Sequence, residues 1–201
     1  MIRNFIFDMG GVLIRFDPEL FTDRLNISDP KDKEILLKEI FYSYRWKEMD
    51  LGLYDEKEMY QKIIANIPVH LHEAVERLLF HWYEPLIPVE GIDELVFTLK
   101  EKGYQIYLLS NAPISQKLYW SDIHCSSCFD GVVVSSFEKC IKPDPKIYRI
   151  LLDRYDLKAE ECFFIDDMPA NTDAAERLGI KAYLFDDTDH LKDYLKKEGI
   201  L

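Results

Sequence analysis

Short apolar segments recur along this chain, and in its second half they alternate with stretches of helical apolar spacing. Residues 91–102, 144–155 and 169–179 repeat apolar side chains every three or four positions, as amphipathic helices do. Parallel strands need helical crossovers and are buried on both faces, so this alternation predicts an α/β fold with a doubly wound parallel sheet. The predicted strands are residues 4–8, 104–111, 131–136, 162–166 and 181–185.

Residues 15–88 interrupt this alternation directly after the first strand. They contain no strand-like segment, but three stretches have the apolar periodicity of amphipathic helices: residues 32–44, 56–67 and 72–83. We therefore predict an α/β core of residues 1–14 and 89–201 and an inserted helical domain of residues 15–88. Parallel sheets bind ligands beyond the carboxyl ends of their strands, so an insertion that starts there is expected to cover the site as a lid.

The charge and the apolar runs of the chain disfavour several classes of partner. The net charge of −12 argues against binding to nucleic acids or anionic membranes. No apolar run approaches the roughly 20 residues that cross a bilayer. A secretory signal is not expected, because strand-like sequence starts at Ile2 and Asp8 interrupts it. These features predict a cytoplasmic protein without a membrane or nucleic-acid partner, and they leave its oligomeric state open.

The four cysteines are expected to be reduced thiols in such a compartment. Cys125 and Cys128 have the spacing of a zinc-binding pair, but the sequence offers neither a clear second pair nor a nearby pair of histidines. We interpret both as packing residues. Cys140 precedes Lys142 by two positions, and this spacing does not indicate a role.

Polar side chains stand at or after the ends of four predicted strands. In chain order they are Asp8, Ser110 with Asn111, Lys142, and Asp166 with Asp167. The tips of parallel strands are neighbours in space. Clustered carboxylate oxygens suit Mg²⁺, while a lysine and a hydroxyl suit a phosphate group. The sequence therefore predicts a Mg²⁺ site beside a phosphate site, with a small-molecule phosphate ester as the partner.

Over essentially its full length the chain resembles the haloacid dehalogenase (HAD) superfamily of phosphotransferases. The four motifs of that superfamily are matched, in order, by FDMGGVL, LLSNA, IKPDP and FIDD. The resemblance implies a Rossmann-like core and a hydrolase acting on phosphomonoesters. It also identifies the insertion as similar to the helical C1 cap of the superfamily.

The resemblance implies a role for each strand-end residue. Asp8 would be the nucleophile that forms an aspartyl-phosphate, and Lys142 would neutralise charge on it and on the phosphoryl group. Ser110 and the backbone of Asn111 would hold the phosphoryl oxygens. The implied Mg²⁺ ligands are Asp8, the backbone carbonyl of Gly10, Asp166, and Asp167, the last either directly or through water.

Gly10 departs from the pattern of the superfamily's phosphatases. These enzymes usually carry a second aspartate there, which protonates the leaving group and later activates water. Three interpretations follow: a phosphatase without that acid, a metal-independent 2-haloacid dehalogenase, or a non-catalytic phosphometabolite-binding or regulatory protein. Asp166 and Asp167 favour the phosphatase over the dehalogenase, because adjacent carboxylates without a cation would repel each other.

A glycine at this position is familiar from one branch of the superfamily, which includes phosphatases of α-D-glucose 1-phosphate. The chain resembles that branch in its D-x-G-x-V, SN and KPDP-x-IY motifs. An anomeric oxygen leaves more easily than the oxygen of an ordinary alcohol, so a sugar 1-phosphate could tolerate the missing acid. This hypothesis requires that rates on aryl phosphates fall steeply as the pKa of the leaving group rises.

Several other residues are weaker candidates. Trp46 and Tyr54 flank a predicted loop of the insertion and are candidates for shaping the substrate pocket, with packing between helices as the alternative. Asn171 and Asp173 follow the acidic pair, and the resemblance implies that such residues support the metal ligands. Asp17 precedes a proline and is interpreted as the cap of the first inserted helix.

Overall fold

The computed structural model describes residues 1–201, and five strands form its centre. They are β1 (Asn4–Phe7), β2 (Gln105–Ser110), β3 (Gly131–Val134), β4 (Cys162–Asp166) and β5 (Lys181–Leu184). All neighbouring strands are parallel, in the order β3-β2-β1-β4-β5. The winding direction changes between β1 and β4, which is the point where open α/β sheets bind ligands. The predicted doubly wound parallel sheet is confirmed.

Eleven α-helices accompany the sheet. In chain order they are α1 (Pro18–Asp23), α2 (Pro30–Leu36), α3 (Tyr44–Asp50), α4 (Glu56–Ile64), α5 (His72–Phe80), α6 (Ile92–Glu101), α7 (Gln116–Tyr119), α8 (Ser135–Glu138), α9 (Pro145–Arg154), α10 (Pro169–Arg177) and α11 (Thr188–Lys197). Ser135 and Ser136, predicted to end the third strand, instead begin α8. Helices α7 and α11 are not among the predicted elements. None of these helices is long and apolar enough to cross a membrane.

The two faces of the sheet carry different helices because the side chains of a strand alternate in direction. Phe5 and Phe7 of β1 pack in one hydrophobic cluster with side chains of α6 and α11. Ile6, between them, packs in a second cluster with side chains of α9 and α10. All three side chains are fully buried, and burying one such side chain contributes about 1.5–3 kcal/mol. This packing fixes β1 and therefore the position of Asp8, which follows it.

The inserted helices share the first of these clusters. Buried side chains from α2, α3, α4 and α5 belong to the same continuous cluster as Phe5 and Phe7. The insertion approaches the core closely at Gly52, where φ is +63° and a Cβ atom would overlap the carbonyl oxygen of Ser136. Glycine satisfies both conditions. The division of the chain into a core of residues 1–14 and 89–201 and a cap of residues 15–88 stays a prediction.

One predicted helix of the insertion is wrong. The helix predicted over residues 32–44 is broken: α2 continues into a π-helical turn, Leu37–Phe41, and the chain restarts as α3. Ser43 separates the two elements. Its hydroxyl donates to the Glu39 carbonyl (3.0 Å) and accepts from the Arg45 backbone N–H (3.2 Å). The same side chain thus ends one helical segment and caps the next.

Helices α1 and α9 begin at aspartate caps, as predicted. Asp17 accepts a hydrogen bond from the Leu20 backbone N–H (3.1 Å), and Asp144 accepts one from the Lys146 N–H (2.9 Å). A proline follows each cap as the first helical residue. The hydrogen bond from Leu20 lowers the pKa of Asp17, and the hydrogen bond and charge of Arg15 add to the shift.

Candidate active site

The carboxyl ends of β1 and β4 bring Asp8 and Asp166 to one edge of the sheet. The two strands are neighbours, and the Asp8 backbone N–H donates to the Ile165 carbonyl (2.9 Å). Both aspartates are buried: 8% of Asp8 and none of Asp166 is exposed. The strand order therefore places two motifs side by side that are far apart in the sequence.

A buried lysine joins these two carboxylates. The Lys142 Nζ atom lies 2.8 Å from Asp8 Oδ1 and 2.7 Å from Asp166 Oδ2. Burial lowers the pKa of Lys142, but the charges of Asp8 and Asp166 outweigh this effect and raise it. Burial raises the pKa of Asp8 to about 8; Lys142 opposes this shift and the charge of Asp166 adds to it. We call Asp8, Lys142 and Asp166 the strand-end cluster, and it is short of positive charge.

Asp166 is held in place by the start of α10. Its Oδ1 atom accepts hydrogen bonds from the Met168 backbone N–H (2.8 Å) and from Asn171 Nδ2 (2.9 Å). Asn171 therefore lies where the family resemblance places a supporting residue. Asp173, the other candidate on this helix, is exposed and does not line the cavity described below.

Asn111 reaches the strand-end cluster through the backbone of Lys142. Its Oδ1 accepts from the Lys142 N–H (2.8 Å), and its Nδ2 donates to the Lys142 carbonyl (3.0 Å). These two bonds tie the end of β2 to the lysine, a role that the sequence does not predict. Ser110 is buried, and its Oγ has no hydrogen-bond partner in the protein. Ser110 does not line the cavity described below, although its hydroxyl keeps both its donor and its acceptor capacity unused.

The two glycines after Asp8 have different environments. Gly11 has φ of +79°, and a Cβ atom there would overlap the Asp167 carboxylate. A side chain at Gly11 is thus excluded. A Cβ atom at Gly10 would lie 3.3 Å from the Cβ atom of Phe16, which is tight contact. The space that the superfamily's second aspartate would enter is therefore bordered by an aromatic side chain.

A cavity of about 230 Å³ lies at the strand-end cluster. Residues of the predicted core that line it include Asp8, Asn111, Tyr119, Lys142, Asp167 and Asn171. From residues 15–88 it receives Phe16, Trp46, Asp50 and Trp82. The inserted helices therefore form part of the wall of the cavity, where the sequence predicts a lid.

Four aromatic side chains of the cavity pack on one another. The ring centroid of Trp82 lies 5.2 Å from that of Phe16 and 5.4 Å from that of Tyr119, and Trp46 lies 5.4 Å from Phe16. We call these four residues the aromatic wall. Trp46 thus lies at the cavity, as one of its two interpretations expects. Tyr54 does not line the cavity, and a lysine of α4 stacks on its ring.

Three polar atoms at the cavity are buried without a hydrogen-bond partner in the protein: Asp50 Oδ1, Trp82 Nε1 and the Tyr119 hydroxyl. Leaving such an atom unpaired costs about 1–3 kcal/mol, so a ligand that bonds them would relieve this cost. Sequence reasoning missed these residues. Asp50 and Tyr119 end helices and Trp82 follows one. Aspartates and aromatic residues at such positions are common in helix caps and hydrophobic cores, so no local sequence pattern marks these three as part of a site.

The donor set suits a magnesium ion. Carboxylate oxygens of Asp8, Asp166 and Asp167 lie within 4.8 Å of one another. Mg²⁺ binds oxygen at about 2.0–2.1 Å, so opposite ligands of one ion stand about 4 Å apart. Burial raises the pKa of Asp167, and the charge of Asp166 adds to the shift. Three carboxylates facing one ammonium leave an excess of negative charge that a divalent cation would balance.

The cysteines lie outside the cavity. All four are free thiols, and Cys125 and Cys140 are buried. Cys125 belongs to the hydrophobic cluster of β1, and Cys128 packs against it. Burial raises the pKa of Cys140, which keeps this thiol protonated. The arrangement agrees with the interpretation of Cys125 and Cys128 as packing residues.

The sequence of this chain matches that of a known family. The profile of the haloacid dehalogenase-like hydrolases matches residues 2–179. The chain belongs to this family. This haloacid dehalogenase-like hydrolase is 28% identical over 176 residues to the sesquiterpene phosphatase astK of Aspergillus oryzae, covering 87% of this chain and 85% of that protein. It is 26% identical over 180 residues to the phosphorylated carbohydrates phosphatase of Thermotoga maritima, covering 88% and 81%.

A longer relative and a crystal structure extend the comparison. The hydrolase is 26% identical over 155 residues to flavin mononucleotide hydrolase 1 of Arabidopsis thaliana, and this match spans 77% of this chain but 62% of that protein. A HAD family enzyme of Bacteroides thetaiotaomicron, in complex with magnesium and inorganic phosphate, superimposes with a TM-score of 0.71. That structure is 23% identical, and the match covers 95% of this chain and 99% of that one. The predicted family, fold and hydrolase class are confirmed.

Proposed function

We propose that this hydrolase is a magnesium-dependent phosphatase that uses Asp8 as its nucleophile. The observation that carries the proposal is the strand-end cluster at the cavity. The Asp8 carboxylate lines the cavity, Lys142 contacts it, and further carboxylates stand close enough to share one ion. The phosphatase activities for which the Aspergillus oryzae and Thermotoga maritima relatives are named support the same chemistry.

In the proposed reaction the Asp8 carboxylate attacks phosphorus, the bond to the leaving oxygen breaks, and water then hydrolyses the aspartyl-phosphate. Lys142 offsets negative charge on Asp8 and on the phosphoryl oxygens. Its two backbone hydrogen bonds to Asn111 and its contact with Asp166 hold it in position. The unpaired Ser110 hydroxyl would donate to a phosphoryl oxygen. Phosphoryl transfer is catalysed mainly by positioning and charge, which these fixed groups provide.

The residues that would hold Mg²⁺ are Asp8, Asp166 and the backbone carbonyl of Gly10, with Asp167 bound directly or through water. When bound, the ion supplies positive charge for the phosphoryl oxygens. The excess of carboxylates over cations in the site supports this assignment. The complex of the Bacteroides thetaiotaomicron enzyme with magnesium and phosphate supports the choice of ion.

We further propose that the substrate is a small phosphorylated metabolite, a sugar phosphate such as a hexose 1-phosphate. The cavity of about 230 Å³ suits a small ligand. The aromatic wall offers faces on which a sugar ring can pack, and the unpaired atoms of Asp50, Trp82 and Tyr119 can bond hydroxyl groups. The Thermotoga maritima relative is named for phosphorylated carbohydrates.

A phosphate-release screen tests the proposal. The panel contains sugar phosphates, nucleotides, short-chain phosphoesters and p-nitrophenyl phosphate, each with Mg²⁺ and with EDTA. We expect Mg²⁺-dependent release that Asp8→Asn abolishes. Asp153→Asn is the matched control, since its carboxylate is exposed on α9 and lies outside the cavity, and it should retain activity.

The same assays separate the other two interpretations. Release of phosphate that survives Asp8→Asn would refute the nucleophile. No release from any member of the panel would favour a non-catalytic binding protein. Metal-independent halide release from 2-chloropropionate would favour a dehalogenase.

A further inference from the structure

The cavity contains a carboxyl group that the proposed reaction has not yet used. Asp50 is the last residue of α3, and it lines the cavity together with Asp8 and Lys142. Phosphate-ester hydrolysis benefits from an acid that protonates the leaving oxygen. The family resemblance implies that related phosphatases carry this acid at the position of Gly10, which has no side chain in this chain. Of the carboxyl groups that line the cavity, Asp8 and Asp167 have proposed roles as nucleophile and metal ligand, and Asp50 has none in the chemical steps.

The side chain of Asp50 is unpaired on its buried side. Its Oδ1 atom is shielded from solvent and has no hydrogen-bond partner in the protein. By contrast, the Asp166 carboxylate accepts hydrogen bonds from Lys142, Met168 and Asn171. Asp50 as a residue is half-buried, but a charged oxygen that is shielded from water without a donor is unfavourable. Asp50 therefore favours the protonated form or a ligand that offers a proton.

The backbone around Asp50 is fixed to the core. The Ser135 hydroxyl donates to the Asp50 carbonyl (2.6 Å) and accepts from the Ala112 N–H (3.0 Å). Two residues on, the Gly52 carbonyl accepts a hydrogen bond from Lys139 Nζ. These contacts join the end of α3 to the segments that follow β2 and β3. Because those segments also carry Asn111 and lead to Lys142, the position of Asp50 is set relative to the strand-end cluster.

The environment of Asp50 suits proton transfer in both directions. Burial raises its pKa to about 7, and the positive charge of Lys142 limits the rise. A group whose pKa is close to the working pH can both donate and accept a proton. An aspartate with the usual pKa would be almost fully ionised at neutral pH. The electrostatic setting thus agrees with the role that the geometry suggests.

We propose that Asp50 is the general acid and base of this phosphatase, supplied by the inserted helices in place of the carboxyl missing at Gly10. The proposal rests on the proposed phosphatase function. As the Asp8–phosphorus bond forms and the bond to the leaving oxygen breaks, the Asp50 carboxyl gives its proton to that oxygen, which departs as an alcohol. In the second step a water oxygen bonds to phosphorus and the Asp8–phosphorus bond breaks. The proton of that water returns to the Asp50 carboxylate.

This assignment differs from the explanation that the sequence offers for Gly10. If the enzyme has no general acid and relies on a sugar oxygen that leaves easily, wild-type rates on aryl phosphates fall steeply as the pKa of the leaving group rises. If Asp50 protonates the leaving oxygen, the wild-type rate depends only weakly on that pKa, and Asp50→Asn makes the dependence steep. The two explanations therefore predict opposite wild-type profiles.

The test measures kcat/KM on a series of aryl phosphates of increasing leaving-group pKa, at saturating Mg²⁺. For Asp50→Asn we expect a loss of about 10²–10⁴-fold on the most basic phenols and nearly wild-type rates on 2,4-dinitrophenyl phosphate, which needs no acid. Asp50→Glu keeps the carboxyl group and should retain a flatter profile than Asp50→Asn. Glu76→Gln, which removes an exposed carboxylate of α5, is the matched control and should match the wild type throughout.

The outcomes separate this inference from the proposed function. Equal losses for Asp50→Asn on all aryl phosphates, or no loss at all, would overturn the role of Asp50 while leaving the phosphatase intact. A steep profile already present in the wild type would also overturn it and would favour the easily departing sugar oxygen. Inactivity of the wild type on every ester would instead refute the phosphatase function, and the role of Asp50 with it.

Discussion

The strand-end cluster and the aromatic wall with Asp50 lie on the same cavity, but their polar atoms differ in whether they have hydrogen-bond partners within the protein. In the strand-end cluster, Lys142 bonds both Asp8 and Asp166. At the other wall, polar atoms of Asp50, Trp82 and Tyr119 have no partner in the protein. Paired groups are held in position before a ligand binds, whereas unpaired polar atoms are stabilised when a ligand forms hydrogen bonds with them. The comparison indicates that the strand ends serve the phosphoryl group, and the aromatic wall and Asp50 serve the group attached to it.

The largest expected effect concerns the strand-end cluster. Asp8→Asn keeps the shape of the side chain but removes the nucleophile, so kcat should fall by about 10⁴-fold or more on every substrate. Steady-state phosphate release with wild-type and variant protein measures it. A loss confined to one class of substrate would mean that Asp8 belongs to the substrate-specific part of the site.

Removal of the ammonium group tests whether the cluster also supports the fold. Lys142→Met leaves two buried carboxylates without a counter-charge, so the free energy of unfolding should drop by about 3–5 kcal/mol. Urea denaturation measures this change in the absence of Mg²⁺. Lys117→Met removes an exposed lysine of α7 and should change stability by less than about 0.5 kcal/mol. Equal effects of the two variants would contradict the structural role of the ion pairs.

The raised pKa of Asp8 predicts a pH dependence of stability without Mg²⁺. Between its ordinary value of 3.8 and about 8, the folded protein keeps a proton that the unfolded chain has released. Ionising Asp8 therefore costs folding stability as the pH rises through this window. Asp8→Asn removes that cost. The free energy of unfolding of the variant minus that of the wild type should therefore increase by about 1–3 kcal/mol from pH 5 to pH 8.

Urea denaturation at several pH values, in EDTA and in saturating Mg²⁺, measures this difference. Mg²⁺ should reduce the difference in free energy of unfolding between the variant and the wild type, because the ion stabilises the ionised Asp8 of the wild type. A difference between the two proteins that is independent of both pH and Mg²⁺ would contradict the charge imbalance of the site.

A smaller effect is expected at the aromatic wall. Trp82→Phe removes an indole N–H that has no partner in the protein and keeps an aromatic ring. For a sugar phosphate we expect kcat/KM to fall by about 5–30-fold, which corresponds to the loss of one hydrogen bond. Activity on p-nitrophenyl phosphate, which has no hydroxyl groups to bond, should change little. Trp120→Phe lies outside the cavity and serves as the control; an equal loss in it would refute the specific role of Trp82.

The smallest effect is expected for Tyr54, which does not line the cavity. Tyr54→Phe keeps the ring that stacks with the lysine of α4, so kcat/KM should stay within about twofold of the wild type on all substrates. A larger change on sugar phosphates alone, measured in the same assay, would extend the substrate-binding surface to this residue.

The sequence shows most of the fold because local patterns encode it. Apolar runs, helical spacing and the proline after each aspartate cap predict all five strands and several helices. The errors fall where one side chain changes the local outcome. The Ser43 hydroxyl interrupts a helix by bonding the Glu39 carbonyl and the Arg45 N–H. Ser135 begins α8, and its hydroxyl donates a hydrogen bond to the Asp50 carbonyl. Such side-chain hydrogen bonds do not alter the apolar period, so the pattern does not reveal them.

By itself, the sequence determined the order of the motifs, the family, and the residues at the strand ends, because a parallel sheet must bring the carboxyl ends of its strands together. The tertiary structure decided which groups meet them across the cavity. Asp50, Trp82 and Tyr119 reach the site only because the inserted helices and α7 pack against the core, and such long-range packing leaves no local pattern. The tertiary structure also places Phe16 beside Gly10. A carboxyl group for the leaving oxygen must therefore come from another element, and Asp50 is the one that we propose.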